Sequence, residues 1–390
     1  MYKQIHSRIL EEEDALIAFR RELHRHPELQ WQEYQTTEKI AAALDAIGIH
    51  YLRTEPTGII AEIKGGSSGK TIALRADMDA LPVEELNDIA YKSTEAGKMH
   101  ACGHDAHTAM LLTAAKVLYE AKDTLEGNVR LIFQPSEENG EGAKVMIEQG
   151  AMKDVDQVFG IHIWSPAPAG KVICPKGPAF AAADILEIIF TGKGGHGAMP
   201  HETIDAAIIA SDFVQNVQTI VSRKIDPLEP TVITIGKMEV GTQYNVIAEK
   251  AVLQGTVRCF EPSLRDQVEE AIRHYANQTA ALYGGTAEIH YRRGPAPVIN
   301  DDDSAAFVQE VIRKTFGEET LLTAKPTTVG EDFSYYQLEA MGSFALVGTG
   351  NPAKETTFAH HHGRFNVDED TLKIGAELYA QVAAHFLNEK

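Results

Sequence analysis

Cysteine is scarce in this chain: Cys102, Cys174 and Cys259 are the only three among 390 residues. A small, odd number argues against a disulfide framework, and with no export signal the thiols are expected to be reduced and the protein cytoplasmic. Long apolar runs are missing as well. No uninterrupted stretch approaches the roughly 20 residues that cross a bilayer. The opening MYKQIHSRILEEEDALIAFRRELHRHPE reads as a polar, amphipathic helix rather than a signal peptide. Positive charge is the third shortage, with 36 Lys and Arg against 56 Asp and Glu and a net charge of −20. That balance argues against a nucleic-acid or membrane partner, since both need a basic footprint. What remains is an ordinary globular composition, 44% hydrophobic and 24% charged. At 390 residues the chain exceeds the size at which one core stops growing, so two domains are expected.

Short β-rich runs alternate with helical patterns, the mark of α/β architecture. TTEKIAAALDAIG places Ile40, Leu44 and Ile47 on one helical face, with Gly48 as its stop. TGIIAEI and TIALRAD flank the turn-like GGSSGK and are expected to pair. A helix over 107–121, strand NVRLIFQ, a helix near 142–149 and strand QVFGIHIW follow, in the rhythm of a largely parallel sheet. From about Ile185 the order becomes β-α-β-β-α-β, the ferredoxin-like split βαβ. An α/β pattern then resumes, with a helix through 307–316, strand FALVG and a closing helix TLKIGAELYAQVAAHFL. The expectation is a discontinuous α/β domain with a mixed, mostly parallel sheet over 1–184 and 297–390, carrying an inserted α+β domain over 185–296.

Four separated segments gather side chains able to bind metal. Cys102 and His104 lie two residues apart and can reach one ion, with Gly103 permitting a tight bend; the same residues would also serve as polar groups at a helix start. Glu137 and Glu138 follow a strand directly. Adjacent carboxylates can divide the work, one holding metal while the other moves protons, although such pairs are common on solvated loops. His162 sits in an apolar strand, where a histidine is more often a satisfied core residue. His360, His361 and His362 form a run that a surface loop would also explain. Their joint occurrence at strand ends within one domain favours a metal site. The donor mix suits zinc, manganese or cobalt better than calcium or magnesium.

RADMDALP (75–82), MHACGHDAHTAML (99–111), PSEENGEGA (135–143), GIHIW (160–164), GGHGAMPH (194–201), GEDF (330–333) and HHHGRF (360–365) together resemble the peptidase M20 superfamily. The similarity is greatest to its amidohydrolase branch of aminoacylases, hippurate hydrolases and indole-acetyl-amino-acid hydrolases. It spans nearly the whole chain, with the motifs in order. The resemblance implies a catalytic domain bearing a lid or dimerisation domain, and a homodimer or dimer of dimers. It implies two divalent ions, manganese or zinc, or else cobalt or nickel, held by Cys102, His104, Glu138, His162 and His361, with Cys102 bridging. Asp77 and Asp79 would support these ligands from behind. Phe365 sets the register that selects His361 from its run. Two positions depart from the pattern: Gly363 and Ala206 stand where proline is usual.

In the same resemblance Glu137 is the general acid/base, and His196 in the insert steadies the tetrahedral oxyanion. Asn245 and Arg258 would hold a substrate carboxylate, for which a guanidinium is suited. The implied activity is cleavage of the amide of an N-acyl amino acid by metal-activated water. The alternative on the same centre is dipeptidase or aminopeptidase action on small peptides.

Overall fold

The computed structural model describes residues 1–388. The chain divides into two compact units. The first comprises Met1–Ala179, Ile299–Lys325 and the chain from Asp332 onward; the second comprises Phe180–Val298 and Pro326–Glu331.

The first unit is built on a seven-stranded sheet. Its order is His50–Arg53, Ile59–Lys64, Glu126–Gln134, Ser67–Asp77, Gln157–Pro168, Met341–Gly350 and Val172–Ile173. The four long strands from Glu126–Gln134 to Met341–Gly350 run parallel, and antiparallel strands close both edges. Parallel strands are covered on both faces, so their apolar residues run continuously rather than alternating. Thr71–Asp77 and Gly342–Thr349 are buried without interruption. Helices Tyr2–Glu11, Glu13–Arg25, His104–Glu120, Asp302–Phe316 and Leu372–Asn388 bring Ile9, Leu16, Leu111, Val308 and Val382 into the same core. Gly48 ends the helix Tyr34–Ile47 in the left-handed conformation, as its sequence predicts.

One expected pairing does not form. Ile59–Lys64 and Ser67–Asp77 are not neighbours, because Glu126–Gln134 lies between them and pairs with both. The run GGSSGK is therefore a crossing rather than a hairpin turn. Gly65 and Gly66 pass the start of the intervening strand and bond to the carbonyls of Gly127 and Leu125 (2.8 and 3.0 Å). A Cβ on Gly65 would sit 2.3 Å from the carbonyl oxygen of Gly127 and 2.4 Å from that of Leu125. The glycines that suggested a turn instead permit close backbone approach.

In the second unit, Asp184–Thr191, Thr231–Val240, Lys250–Cys259 and Thr286–Arg292 alternate in chain order with helices Ala206–Thr219 and Pro262–Leu282, in the sequence β-α-β-β-α-β. The sheet is antiparallel, ordered Thr231–Val240, Lys250–Cys259, Asp184–Thr191, Thr286–Arg292. Burial alternates along Asp184–Thr191, so one sheet face packs on the helices. Asp184 is fully buried but paired: Arg265 Nε (2.9 Å) and Tyr291 Oη (2.7 Å) donate to it. Ala206, where proline was the usual residue, donates its N–H to the Ala248 carbonyl (2.9 Å), a bond proline cannot make. The segment Pro326–Glu331 joins this unit through a bond from Ala181 N–H to Val329 O (3.0 Å). A division at 184 and 297 does not separate it, because a six-residue return carries no periodicity of its own. Among the described residues no helix is long and apolar enough to cross a membrane.

Gly65→Ala is expected to lower stability by about 1–3 kcal/mol, the usual cost of overpacking against atoms that cannot move. Gly236, with nothing within 4 Å of its Cβ position, is the control. Thermal unfolding should show a lower Tm for Gly65→Ala and no fall for Gly236→Ala. Equal Tm values would show that the crossing does not require glycine.

Candidate metal centre

The carboxyl ends of the parallel strands carry the chemistry. Pairing between Ser67–Asp77 and Gln157–Pro168 stops at Arg75 opposite Gly160, and His162 lies two residues beyond that point. Asp77 closes its strand, the Glu137–Glu138 pair follows Gln134, and the helix His104–Glu120 begins behind Gly103 (φ 96°). In an open parallel sheet this is where side chains from different strands converge.

Two buried carboxylates organise the convergence. Asp79 accepts from His104 Nδ1 (3.1 Å) and from the backbone N–H groups of Glu137 (3.0 Å) and Glu138 (3.1 Å). Asp77 accepts from His107 Nδ1 (2.5 Å) and from Arg75 Nη1 (2.7 Å). Burial alone would raise the pKa of Asp77, but His104, His107 and Arg75 hold it well below the usual carboxylate range. His107 also accepts the Ile163 N–H at Nε2 (2.9 Å), which leaves it no free nitrogen and marks it as structural.

The remaining donors converge on one place, His361 from an exposed position. His162 donates from Nδ1 to the Ile163 carbonyl (2.5 Å), leaving Nε2 bare at 3.4 Å from Cys102 Sγ. His104, with Nδ1 committed to Asp79, presents Nε2 3.8 Å from Glu138 Oε1. His361 Nε2 lies 3.5 Å from Glu138 Oε2. Ligand atoms of Cys102, His104 and His162 fall within 4.8 Å of one another, as do those of Cys102, Glu138 and His361, and those of His104, Glu137 and Glu138. Cys102, His104 and Glu138 each belong to two of these groups, so the three clusters overlap in one place.

His104 Nε2 and Glu138 Oε1 are buried with no hydrogen-bond partner. Buried polar atoms left so are rare, and two lone pairs aimed at one space suit a cation. The electrostatics agree. Burial lowers the pKa of His104, but Asp77, Asp79 and Glu138 together push it up to about 10. Burial, aided by Asp79 and Asp77, raises Glu138 to about 7 despite His104. A divalent ion would supply the positive charge these groups otherwise draw from protons. The residues present fit a two-ion centre.

Further residues hold this arrangement, and the sequence reading assigned them no role. Glu33, fully buried, accepts from the Ser136 N–H (2.9 Å) and from Thr57 Oγ1 (2.8 Å), fixing Ser136 at φ 58° just before the glutamate pair. Arg20 Nε and His24 Nδ1 both bond Asp105 Oδ2 (2.8 Å each), anchoring the start of the helix that carries His104. Arg75 lies inside an otherwise apolar buried strand; that placement was the available signal, since a buried arginine requires partners. Its partners are Asp77, Gln134 and Asp332, the last at 2.8 Å. In the histidine run, His362 accepts from the Arg364 N–H (3.0 Å) and stacks on Phe358. Gly363 cannot be replaced by proline as the chain stands, because a Cβ there would meet the Glu84 carbonyl oxygen at 2.6 Å.

His196, Asn245 and Arg258 lie in the second unit. His196 pairs across a two-residue bridge with Val246, and the Gly197 N–H donates to the Asn245 carbonyl (2.9 Å), so His196 and Asn245 are neighbours, both exposed. The Arg258 guanidinium donates to Thr256 Oγ1 and to the Val257 carbonyl, and no ion pair to it is seen among the described residues.

Residues 73–385 match the family described as Peptidase family M20/M25/M40. The chain is 40% identical over 393 residues to "Thermostable carboxypeptidase 2" of Saccharolobus solfataricus, covering 100% of both. It is 41% identical over 361 residues to "N-acetyl-L-cysteine deacetylase" of Bacillus subtilis, covering 92% of this chain and 85% of that one. A Bacillus subtilis crystal structure, described as a dinuclear metal binding peptidase from the M20 family, superposes with a TM-score of 0.86 at 35% identity, over 97% of this chain and 99% of that one. On this agreement of donor set, sequence and fold, the chain is a metal-dependent hydrolase belonging to peptidase family M20/M25/M40.

Proposed function

We propose that this protein is a two-metal hydrolase that deacylates N-acyl amino acids. The observation that carries the reading is the pair of buried, unpartnered lone pairs of His104 Nε2 and Glu138 Oε1 beside the thiol of Cys102. Cys102, His104, Glu138, His162 and His361 would hold two divalent ions, manganese or zinc before cobalt or nickel. When bound, these ions would polarise an amide carbonyl and make water acidic near neutral pH. Glu137 takes the proton of the attacking water on its carboxylate and passes it to the departing amine nitrogen. Asp79 keeps the His104 proton on Nδ1, so Nε2 stays a lone-pair donor.

The second unit, in this reading, is a ferredoxin-like lid and dimerisation domain. His196 donates to the oxyanion of the neighbouring subunit, and Asn245 with Arg258 binds the substrate carboxylate. Among the described residues no carboxylate forms an ion pair with Arg258, which favours an anion-binding role. The assembly is a homodimer or dimer of dimers, and the proposed compartment is the cytoplasm. Dipeptidase or aminopeptidase action on small peptides is the second reading; a 40% identical relative carries a peptidase name, "Thermostable carboxypeptidase 2". The metal-loaded protein, offered acetyl, benzoyl and longer acyl amino acids beside unblocked dipeptides, should favour the acylated series. A preference for free amino termini would establish the peptidase reading instead.

Glu137→Gln is expected to reduce turnover by ~10²–10⁴, the usual share of a general base, or more because the group acts twice. Metal content should stay near that of the native protein. Loss of metal or near-native activity would overturn the division of labour between Glu137 and Glu138.

Mixing Glu137→Gln with His196→Ala under subunit exchange tests the shared site. If His196 acts in trans, activity returns on mixing, because each mixed dimer has one intact site and works at up to about half the rate of a native dimer. No recovery on mixing would place His196 in its own subunit's chemistry.

A further inference from the structure

His360, next to the proposed ligand His361, is the more tightly held of the two. Its ring stacks on Trp164 (centroids 4.9 Å apart, planes at 26°) and lies against Phe365 (4.8 Å). Its Nε2 accepts the backbone N–H of Ser165 (3.3 Å). That N–H falls where the ladder is broken: Gly348 pairs with Trp164 but Gly350 with Pro168, so the register between the parallel strands slips across Ser165. A slipped register leaves backbone groups that must find partners elsewhere, and His360 supplies one.

This contact settles the tautomer. A ring nitrogen that accepts an N–H cannot carry a proton, so a neutral His360 carries its proton on Nδ1. Nδ1 lies 3.9 Å from Cys102 Sγ, within the reach of a hydrogen bond to sulfur. The same sulfur lies 3.4 Å from the bare Nε2 of His162. His162 therefore offers Cys102 a lone pair, and His360 offers it a proton. With Nε2 occupied and Nδ1 protonated, His360 has no free lone pair and is excluded as a metal ligand.

We infer that His360 is a positioning residue that donates a hydrogen bond from Nδ1–H to the thiolate of Cys102. The inference rests on the proposed ligand role of Cys102. A neutral donor beside a shared thiolate draws electron density from the sulfur without adding charge to the site, and it fixes the direction of the remaining lone pairs. The Trp164–Phe365 clamp and the Ser165 N–H keep the ring from turning its other nitrogen toward the sulfur.

The cobalt-loaded protein provides the test. Three forms are compared: the native chain, His360→Leu, which removes the donor, and His360→Asn, whose side-chain N–H can stand where Nδ1–H stood. The native form should show a thiolate-to-cobalt charge-transfer band. That band should move to longer wavelength in His360→Leu, as the sulfur becomes a stronger donor, and return toward its native position in His360→Asn. An unmoved band in His360→Leu, or the same shift in both variants, would overturn the inference and leave His360 a packing residue. In parallel, long-range ¹H–¹⁵N spectra of the native protein labelled in its histidines should show His360 protonated on Nδ1, with and without metal. An Nε2-protonated ring would overturn the inference even if both variants failed to fold. Absence of any charge-transfer band in the native protein would instead count against Cys102 as a ligand, while an Nε2-protonated ring would still overturn the hydrogen bond.

Discussion

The carboxylate of Asp79 is the constraint on which the site depends. It lies two residues past the end of a buried parallel strand and joins two segments distant in sequence: the ring of His104 and the backbone of the glutamate pair. Its bond to His104 selects the tautomer, and its two backbone bonds set where Glu137 and Glu138 point. Without it, a helix start and a loop would each be free to turn their donors toward solvent. The side chain is buried in a low-dielectric setting, where hydrogen bonds to a charged acceptor are stronger than neutral ones and costly to leave unmade.

Around that carboxylate the fold is arranged to keep charge buried but answered. Arg75 meets Asp77 and Asp332 inside the sheet, and Arg20 with His24 meets Asp105 at the helix start. Replacing one partner in such a group leaves an uncompensated buried charge, which costs more than the pair contributes. At the site, His104 Nε2 and Glu138 Oε1 are left without a hydrogen-bond partner. Other buried polar atoms also lack a partner, both ring nitrogens of His100 among them, but those of His104 and Glu138 lie 3.8 Å apart within reach of further donors, the arrangement a bound cation would satisfy.

Much of this was legible in the sequence, for physical reasons that vary from element to element. The continuous apolar runs of the parallel strands and the alternating runs of the second unit distinguish sheets buried on two faces from a sheet buried on one. Cys102, His104, Glu137 and Glu138 stood out because polar groups adjoined strand or helix ends. His162 was ambiguous within its own strand, because burial alone does not separate a ligand from a core histidine. What its strand could not show is that Nδ1 is committed to the Ile163 carbonyl while Nε2 faces Cys102, contacts that no spacing encodes. Glu33 was missed because it stands before a helix like any capping residue, and only the fold turns it toward Ser136. The strand order around GGSSGK was misread for a related reason. Local turn chemistry describes neighbours in sequence, whereas Glu126–Gln134 arrives between the two strands from some sixty positions away. His360, read only as part of a run, acquires its tautomer from a register slip between two other strands.

On the proposed reading, one thiolate and four nitrogen or carboxylate donors form a two-ion centre. It is tested most directly by titrating the metal-free chain with manganese or zinc while following alkylation of Cys102. Two ions should bind per chain, with Cys102 labelled readily before the titration and protected after it, and Cys174 and Cys259 indifferent throughout. Binding of fewer than two ions, or labelling of Cys102 that ignores metal, would contradict it.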